Sequence, residues 1–399
     1  MTHTDLADRI TAFKRSLADR KDGLRRAFVS IEDHVKAEVD AILSDQAAGR
    51  AVVPEIGYAD IRDGKVGDAA KAAIRRRGAV IVRGVVSEAQ ATDWNAEIVG
   101  YAKRNGFYAQ AEAARGAGRP QMLSLYWSRP QIAARQAPAL AGTRAFLNRL
   151  WRFDGAGVDP DDECGYADRV RRREPGDRTL TLRPHIDGGA AERWLEPGFQ
   201  RLYAPVLTGD WRAFDPFDGR RREGASETPA PFVCSMFRTW QGWTALTPQG
   251  PGDGTLQLVP IARGLAYMLL RALQADAPDD RLPGADPAGG LWPDEDRHAA
   301  LLAGLVSIPA VGPGDAVWWH CDLAHGVEAV HHGAGESNVF YIAAAPGCAR
   351  NRAFLAKQKA AFLDGRSAPD FRPEDYETAY TDRATPADLT DLGRRQMGF

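Results

Sequence analysis

The residues best suited to bind a metal are a histidine and an aspartate two positions apart, His185 and Asp187, in the segment TLRPHIDGG. Alternate side chains of a β-strand point to the same face, so both would project together, about 7 Å apart along the strand. A third ligand must come from elsewhere, and we select His325 at the end of AVWWHCDLAH. Two histidines and one carboxylate form the facial triad that binds non-haem Fe(II) and leaves positions open for a co-substrate and dioxygen.

The residues that flank these ligands favour the same arrangement. Gly188 and Gly189 follow Asp187 at once, which would end the strand beside the metal. Downstream, the turn PGD at 313–315 precedes the strand-like segment AVWWH, and His325 follows it. We therefore predict that the three ligands meet at one end of a β-structure.

A second group of potential ligands lies in the same region. His320, Cys321 and Asp322, together with His325, place four ligand types within six residues and so resemble a zinc site. Residues at this spacing on one strand do not surround an ion tetrahedrally unless the strand bends sharply. We interpret His320 and Asp322 as residues that orient His325 or support the surrounding β-structure.

Short apolar segments alternate with Gly, Pro and Asp turns from about residue 180 onward. They include GWTAL, GTLQLVP, VSIPAV, DAVWWH and SNVFYIAAA, and an earlier β-branched run, GAVIVRGVV, lies at 78–86. Several short strands separated by such turns are typical of an antiparallel sandwich or barrel. The charged stretch DRVRRREPGDR at 168–178 is instead predicted to be an exposed connection.

The chain shows no internal repeat and no clear linker, so we predict one structural unit. Apolar residues recur every three or four positions near the start, which predicts an N-terminal helical extension over 1–70. The core is predicted over 71–350, with a helical insert near 261–304. A helical, exposed tail is expected over 351–399.

Composition excludes several functional classes. The formal net charge is -2 and there is no basic stripe, so no binding of nucleic acid or of an anionic membrane is expected. The start of the sequence does not resemble a signal peptide, and no run approaches the roughly 20 apolar residues of a membrane span. The four cysteines (Cys164, Cys234, Cys321 and Cys348) form no C-x-x-C pair. We expect a cytoplasmic protein with a small-molecule substrate, and its oligomeric state is left open.

Longer motifs resemble a known family. The pattern RPHIDGG, FRTWQGWTALTPQGPGDGTLQLVP and WWHCDLAH, over about residues 75–350, resembles the phytanoyl-CoA dioxygenase superfamily and, more closely, the domain of unknown function 1479 family. The resemblance implies a mainly β protein with α additions, built on a double-stranded β-helix (jelly-roll) core flanked by helices. It also implies Fe(II) at His185, Asp187 and His325, with 2-oxoglutarate as co-substrate and O2 as oxidant. The expected outcome is hydroxylation of a small molecule with release of succinate and CO2.

One departure from the superfamily concerns the far carboxylate of 2-oxoglutarate. The superfamily commonly has an Arg or Lys about ten residues after the distal histidine, but the stretch after His325, VEAVHHGAGESNVFYI, contains neither. A buried carboxylate needs a cationic partner, most often arginine. Arg238, in the core-like segment VCSMFRTWQGW, is our first substitute. Arg183 is the second, because it lies two residues before His185 and would share its face.

Three further residues are predicted to line the same pocket. Ser337 and Asn338 lie on the strand after His325 and would add hydrogen bonds to the co-substrate. Trp243 lies beside the expected co-substrate and would contribute to the wall of the substrate pocket.

Two other functions stay open at this stage. A catalytically silent jelly-roll protein that binds a metal or ligand would explain the missing basic residue, although it would not explain three intact ligand positions. A cupin-like, metal-dependent hydrolase would need a general base near the metal, for which Glu192 and Glu328 are the available carboxylates.

Overall fold

Short segments rich in β-branched and aromatic residues form the strands around the predicted ligands. The structure is a computed structural model that describes residues 3–115, 120–180, 182–222, 224–225, 235–285 and 290–399, so Cys234 lies outside the described residues. Within these ranges the strands are β1 (Glu55–Gly57), β2 (Ala79–Arg83), β3 (Met122–Leu123), β4 (Asp159–Glu163), β5 (Val170–Arg173), β6 (Trp240–Ala245), β7 (Leu256–Leu258), β8 (Val306–Ser307), β9 (Ala316–His320), β10 (His325–Val327), β11 (Ser337–Ala344) and β12 (Pro346–Gly347).

Helices make up 43% of the described residues, so the protein is a mixed α/β protein with more helix than a mainly β composition implies. Among the described residues, no helix combines the length and apolar character needed to cross a membrane. The α-helices are α1 (His3–Ser16), α2 (Lys21–Ala47), α3 (Tyr58–Arg62), α4 (Asp68–Arg77), α5 (Glu88–Arg104), α6 (Phe107–Arg115), α7 (Arg129–Arg135), α8 (Pro138–Asn148), α9 (Glu192–Leu195), α10 (Pro197–Leu202), α11 (Ala204–Leu207), α12 (Gly264–Arg271), α13 (Glu295–Leu302), α14 (Ala349–Asp364) and α15 (Asp391–Gln396). Short 3-10 turns lie at Ala18–Arg20, Trp211–Ala213, Tyr376–Ala379 and Pro386–Asp388.

A seven-stranded sheet forms the centre of the fold, in the order β1-β2-β9-β6-β11-β5-β3. Every pairing in it is antiparallel except the parallel pair β1 and β2. A smaller sheet, β10-β7-β8, faces it across a shared apolar core. Leu256 and Leu258 of the small sheet pack there with Trp243, Val317 and Trp319 of the large sheet. The predicted antiparallel β-core is therefore confirmed.

Helices cover the outside of this β-core. The long helix α2 buries Ile31, Val35 and Ile42 completely and packs against α12 and α13, which lie within the predicted helical insert. Periodic apolar positions in the first 50 residues therefore correspond to a helix face buried in the fold.

The charged stretch 168–178 was wrongly predicted to be an exposed connection. Four of its residues form β5, which pairs with β11 and β3 inside the large sheet. Alternation explains how so charged a strand is accommodated, because side chains at i and i+2 share a face. Val170 joins an outer apolar cluster, while Arg171 and Arg173 are buried on the opposite face.

The C-terminal tail is less exposed than expected, because a buried carboxylate fixes it to the core. Glu377 accepts hydrogen bonds from the backbone N–H groups of Tyr126 (2.6 Å) and Trp127 (3.0 Å) and from the hydroxyl of Tyr101 (2.8 Å). Burial raises the pKa of Glu377 to about 7, against the opposing effect of these hydrogen bonds. These hydrogen bonds thereby hold the tail close to Tyr126 and Trp127, which lie between β3 and α7.

Gly242, in the central strand β6, tests how tightly the large sheet is packed. A Cβ atom at this position would lie 2.6 Å from the carbonyl oxygen of Val317 and 2.7 Å from the ring of Trp318. We expect Gly242→Ala to lower the free energy of unfolding by about 1–3 kcal/mol, as overpacking does in dense cores. Urea unfolding measures this, with Gly335→Ala as control because no atom lies within 4 Å of its Cβ position. Equal stability of the two variants would contradict the packing account.

Candidate metal centre

Backbone pairing brings two of the predicted ligands together. The N–H of His185 donates to the carbonyl of His325 (2.8 Å), and the N–H of His325 donates back to His185 (2.9 Å). Ile186 forms a second bridge with Leu291. The predicted strand around the H-x-D motif is thus present as bridges at 185–186, and it extends the small sheet beside β10.

The side chains of the three predicted ligands converge. The Nε2 atom of His185 lies 3.4 Å from Oδ1 of Asp187, and that of His325 lies 3.7 Å from Oδ2 of Asp187. One ligand atom from each residue falls within 4.8 Å of the other two. Both imidazoles are buried, whereas Asp187 is half-buried. Two nitrogens and a carboxylate at these separations are able to bind one transition-metal ion from one side.

Hydrogen bonds fix which nitrogen of each imidazole faces the centre. Nδ1 of His185 donates to the carbonyl oxygen of Arg183 (2.8 Å), and Nδ1 of His325 donates to that of Leu323 (2.9 Å). This assignment follows from the acceptors, since a carbonyl oxygen does not donate. Nε2 of each ring is therefore the atom that faces Asp187, and once it is deprotonated it is the atom available to a metal.

Electrostatic interactions within the candidate centre shift the pKa values of its side chains. Burial opposes ionisation of Asp187, but its hydrogen bond to His185 and its electrostatic interactions with His185, His325 and Arg238 hold its pKa well below the usual range. For His325, burial and the neighbouring His185 lower the pKa to about 4. Asp187 is therefore an anionic ligand and His325 a neutral one near neutral pH, as a divalent cation needs.

Arg193 holds the loop that carries Asp187. Its guanidinium donates to the carbonyl oxygens of Asp187 (2.6 Å) and Gly189 (3.1 Å), and also to the carboxylate of Asp322 (3.1 Å). Gly188 and Gly189 adopt positive φ angles of 87° and 89°, which glycine tolerates without strain. The sharp turn after Asp187 thus depends on two glycines and one buried arginine.

His320 and Asp322, which belong to the second group of potential ligands, make structural contacts within the protein. Nδ1 of His320 accepts from the backbone N–H of Asp322 (3.0 Å), and its Nε2 donates to the carbonyl of Pro216 (3.0 Å). Burial lowers the pKa of His320 to about 3, so the ring is neutral and both nitrogens are occupied. Asp322 is bound by both Arg193 and Arg222. Its role in bracing the loop beside the metal ligands agrees with the sequence interpretation.

A cavity of about 660 Å³ opens beside the three ligands. This volume lies within the range of small-molecule sites. Its wall contains all three ligands and several aromatic and polar side chains, among them Tyr126, Tyr166, Arg169, Arg238, Gln241, Trp292, Trp319, Tyr341, Phe371 and Arg372. Phe371 and Arg372 come from the C-terminal tail, so that segment forms part of the cavity.

Comparisons with known proteins cover nearly the whole chain. The Gig2-like family model matches residues 4–399. The uncharacterised protein YbiU of Escherichia coli (strain K12) is 40% identical over 98% of this chain and 96% of its own. The chain belongs to the Gig2-like family. This result confirms the family predicted from the sequence motifs, because a Gig2 protein also carries the designation DUF1479.

Two solved structures extend the comparison of this Gig2-like protein. A Salmonella typhimurium LT2 protein, provisionally named an oxidoreductase, aligns with a TM-score of 0.92 and 37% identity over 99% of this chain and 97% of that one. The GlcNAc Inducible Gene 2 protein of Candida albicans aligns with a TM-score of 0.86 and 27% identity over 98% and 89%. The fold described above is therefore that of the family.

The two arginines selected from the sequence occupy different environments in this Gig2-like protein. Arg238 lines the cavity, with its guanidinium 5.2 Å from the ring centre of Tyr166. Arg183 is exposed and stacks 4.7 Å from the ring centre of Trp292, and it is absent from the cavity wall. The strand is present only as the bridges at 185–186, so strand alternation does not extend back to Arg183. Its side chain therefore does not share the inward direction of His185.

Trp243, Ser337 and Asn338 are buried, but none of them forms part of the described cavity wall. Trp243 packs in the core between the two sheets. Ser337 donates to the carbonyl of Asp253 (2.7 Å), and the amide of Asn338 donates to Asn95 (3.0 Å). The predicted direct contacts with a co-substrate are not supported by these positions.

The sequence analysis missed the inward-facing residues of β5 and the tyrosine of β11. Arg171 pairs across the sheet with Val339, a member of the core between the sheets, so its side chain points inward. Tyr341, two residues after Val339, lines the cavity. Alternation within VRRR was the available signal, but it required recognition of this charged run as a strand.

Loss of the Arg193 side chain tests its role in holding Asp187. We expect Arg193→Met to weaken metal binding by about 10- to 100-fold, since partners that orient a ligand commonly contribute that much. Equilibrium titration with Co(II) measures the affinity, and the thermal midpoint reports whether the fold is retained. Arg201→Met, at an exposed arginine of α10, is the control. Metal affinity equal to that of the control would contradict the assigned role.

Proposed function

We propose that this protein is a non-haem Fe(II)- and 2-oxoglutarate-dependent oxygenase that hydroxylates a small molecule. The observation that carries the proposal is the convergence of two Nε2 atoms and one carboxylate within 4.8 Å. These ligands form part of the wall of a cavity of about 660 Å³. A three-ligand face with space beside it leaves positions for a chelating co-substrate and dioxygen.

The order of strands supports a double-stranded β-helix for the core. Along the chain, β5 lies in the large sheet, 185–186 in the small one, β6 in the large one, and β7 and β8 in the small one. The chain then alternates again through β9, β10 and β11. Such alternation between two facing sheets is what winds a pair of antiparallel ribbons into a jelly roll. We infer this fold, with the metal centre at one end of the barrel.

The residues present fit an Fe(II) ion. These residues would hold the ion through Nε2 of His185, Nε2 of His325 and the negatively charged carboxylate of Asp187, and all three side chains line the cavity. When bound with 2-oxoglutarate, the iron would couple reduction of O2 to decarboxylation of the co-substrate and to oxidation of a substrate C–H bond. The protein's part is to orient the ligands, bind both organic molecules and limit access of water.

The positions of the two glutamates considered as general bases favour an oxygenase over a hydrolase. The carboxylate of Glu328 accepts hydrogen bonds from Gly252, Thr255 and Ser307. Glu192 accepts from the backbone N–H of Ala190 (3.0 Å). Neither glutamate is part of the described cavity wall. The oxygenase needs no such base, because Fe(II) and the keto acid supply its chemistry.

Arg171 is our proposed cation for the far carboxylate of 2-oxoglutarate, and it lies just outside the described cavity wall, two residues along the chain from the wall residue Arg169. Only 3% of this residue is exposed. Its terminal nitrogens make long hydrogen bonds to the carbonyl of Gly254, at 3.3 and 3.4 Å, and its Nε has no partner in the described part of the chain. A buried guanidinium without an anion is costly, so a ligand carboxylate is the partner that this geometry favours.

Tyr341 connects this cation with the metal centre. Burial raises the pKa of its hydroxyl, and the negative charge of Asp187 acts in the same direction while Arg171 and Arg169 oppose it. Tyr341 lines the cavity together with Asp187, and it lies two residues along β11 from Val339, which is opposite Arg171. A co-substrate that chelates the metal would extend past Tyr341 toward Arg171. In this proposal Arg171 takes the role of the basic residue that is absent after His325, which favours an active enzyme over a catalytically silent protein.

Anaerobic titration tests the reaction class. We expect Fe(II) with 2-oxoglutarate to produce the weak visible charge-transfer band of the chelate, and Asp187→Ala to abolish both the band and stoichiometric iron binding. His332→Ala, at an exposed histidine away from the three ligands, is the control and should retain both. Iron binding without the band in the unaltered protein would contradict a 2-oxoglutarate-dependent reaction.

A comparison of two co-substrates tests Arg171. Pyruvate has the keto-acid group of 2-oxoglutarate but lacks the far carboxylate, so only 2-oxoglutarate should gain from Arg171. We expect Arg171→Met to weaken 2-oxoglutarate by about 1.5–3 kcal/mol, typical of a hydrogen bond to a charged group, and to leave pyruvate unchanged.

Arg172→Met is the matched control for this comparison. Arg172 is the next residue of β5, but it points outward and pairs with Glu336 and Tyr108. Equal weakening of 2-oxoglutarate and pyruvate in Arg171→Met would indicate a general structural effect and remove the proposed role.

A further inference from the structure

A second cavity, of about 340 Å³, is separate from the one beside the metal ligands. It is lined by residues of α2, the end of α4, the segment 215–217 and the segment before α12, and its described wall shares no residue with the first cavity. The volume falls within the range of small-molecule sites. The charged or titratable side chains of its wall are His34, Glu38, Arg75, Arg76, Asp215 and Arg263.

Both carboxylates of this wall already have cationic partners. Glu38 accepts hydrogen bonds from Nε of Arg76 (2.9 and 3.0 Å) and from Arg77 (3.3 Å). Asp215 accepts two from the guanidinium of Arg75, at 2.9 and 3.0 Å. Three arginines of the wall thus face two carboxylates, and each carboxylate is bound by an arginine other than Arg263. The wall therefore has one positive charge in excess.

Arg263 carries this excess charge. The side chain is half-buried, and its Nε makes one long hydrogen bond to the carbonyl oxygen of Phe214 (3.4 Å). Its two terminal nitrogens donate to no acceptor in the described part of the chain. Arg76 uses only Nε for Glu38, so its terminal nitrogens are also left for a ligand. Two guanidinium groups from different elements therefore present N–H donors to one cavity.

His34 adds a third N–H group to the same wall. Burial and the positive charges of Arg263, Arg212 and Arg76 lower the pKa of His34, against the opposing charge of Glu38. Within the described ranges its ring nitrogens have no hydrogen-bond partner. A bound anion would lie among these cations and favour the protonated imidazole, because a nearby negative charge stabilises that form.

We infer that this cavity binds a small molecule that carries a phosphate group, held by Arg263, Arg76 and His34. Donors from three separate elements suit a tetrahedral oxyanion, whereas a planar carboxylate is commonly satisfied by one guanidinium. Phe217, Ile261 and Ala262 give the wall an apolar surface for the organic part of the ligand. The site contains no metal ligand, so it would bind its ligand whether or not the protein is an oxygenase.

Isothermal titration calorimetry of the full chain tests the site with three anions at one ionic strength, because salt screens exposed charges. Inorganic phosphate and sulfate are tetrahedral, whereas acetate is planar. We expect both tetrahedral anions to bind at least about tenfold more tightly than acetate. Asp187→Ala is titrated alongside and should keep the phosphate affinity, which distinguishes this cavity from the metal centre.

Arg263→Met should weaken phosphate binding by about 10- to 100-fold, as expected for loss of hydrogen bonds to a charged group. The fold should be retained, because this side chain is half-buried and makes a single long hydrogen bond, and the thermal midpoint checks this. Arg212→Met is the matched control. It removes an exposed arginine that stacks on Trp211 outside the described wall, and it should change the affinity by no more than about threefold.

The pH dependence of sulfate binding tests His34. Sulfate stays a dianion throughout the range in which histidine titrates, so a change of affinity in that range must come from the protein. We expect sulfate affinity to rise as pH falls through the pKa of His34, because the bound anion favours the protonated ring. His34→Gln keeps an N–H donor but does not titrate, and it should remove this rise.

Three results would overturn the inference. Acetate that binds as tightly as phosphate would exclude a site for tetrahedral oxyanions. Equal phosphate affinity in Arg263→Met and Arg212→Met would place the bound anion outside this cavity. Loss of phosphate binding in Asp187→Ala would assign the anion to the metal centre instead.

Discussion

The exchange of two backbone hydrogen bonds between His185 and His325 is the constraint on which the candidate metal centre depends. A residue pair that exchanges both bonds in an antiparallel ladder has its Cα atoms about 5.5 Å apart, which brings side chains on one face into contact. The two imidazole rings accordingly have centroids 4.3 Å apart. Strand β10 holds this pair against β7, and the apolar core holds β7 against the large sheet. Packing of the β-core therefore sets the separation of the ligands.

Asp187 is positioned by a different device, a buried ion-pair network. Arg193 joins the carbonyl of Asp187 to the carboxylate of Asp322, and Arg222 binds the other oxygen of Asp322. Burial opposes the charge on Asp322, but the two arginines hold its pKa well below the usual range. Since Asp322 lies three residues before His325, the network couples the loops of both ligand segments. Removal of Asp322 would leave the buried guanidinium groups of Arg193 and Arg222 without their shared anion, which is strongly destabilising.

The sequence predicts which of these side chains converge better than it predicts the cavity. Strand alternation and the flanking glycines selected His185 and Asp187, and the PGD turn before AVWWH favoured His325 as their partner. The cavity wall depends on register between strands and on the path of the tail, neither of which a single sequence displays. Arg183 lies outside the wall although alternation favoured it, since the strand is present only as bridges at 185–186. Phe371 forms part of the wall because Glu377, further along the same tail, anchors the tail to the backbone of Tyr126.

The contacts of Arg171 differ from those of the neighbouring arginines Arg169 and Arg173 on the same face. Arg173, two residues along the same face, donates to the carbonyls of Glu328 and Ala329 and so has a structural function. Arg169, two residues before Arg171, pairs with Asp168. Arg171 has only long contacts with one carbonyl, although it is as deeply buried as Arg173. Directly opposed residues of neighbouring strands lie about 4.5–5.5 Å apart. A cation opposite Val339 therefore reaches nearly the same space as one on β11 itself, and under the proposed function it would serve in place of an Arg or Lys after His325.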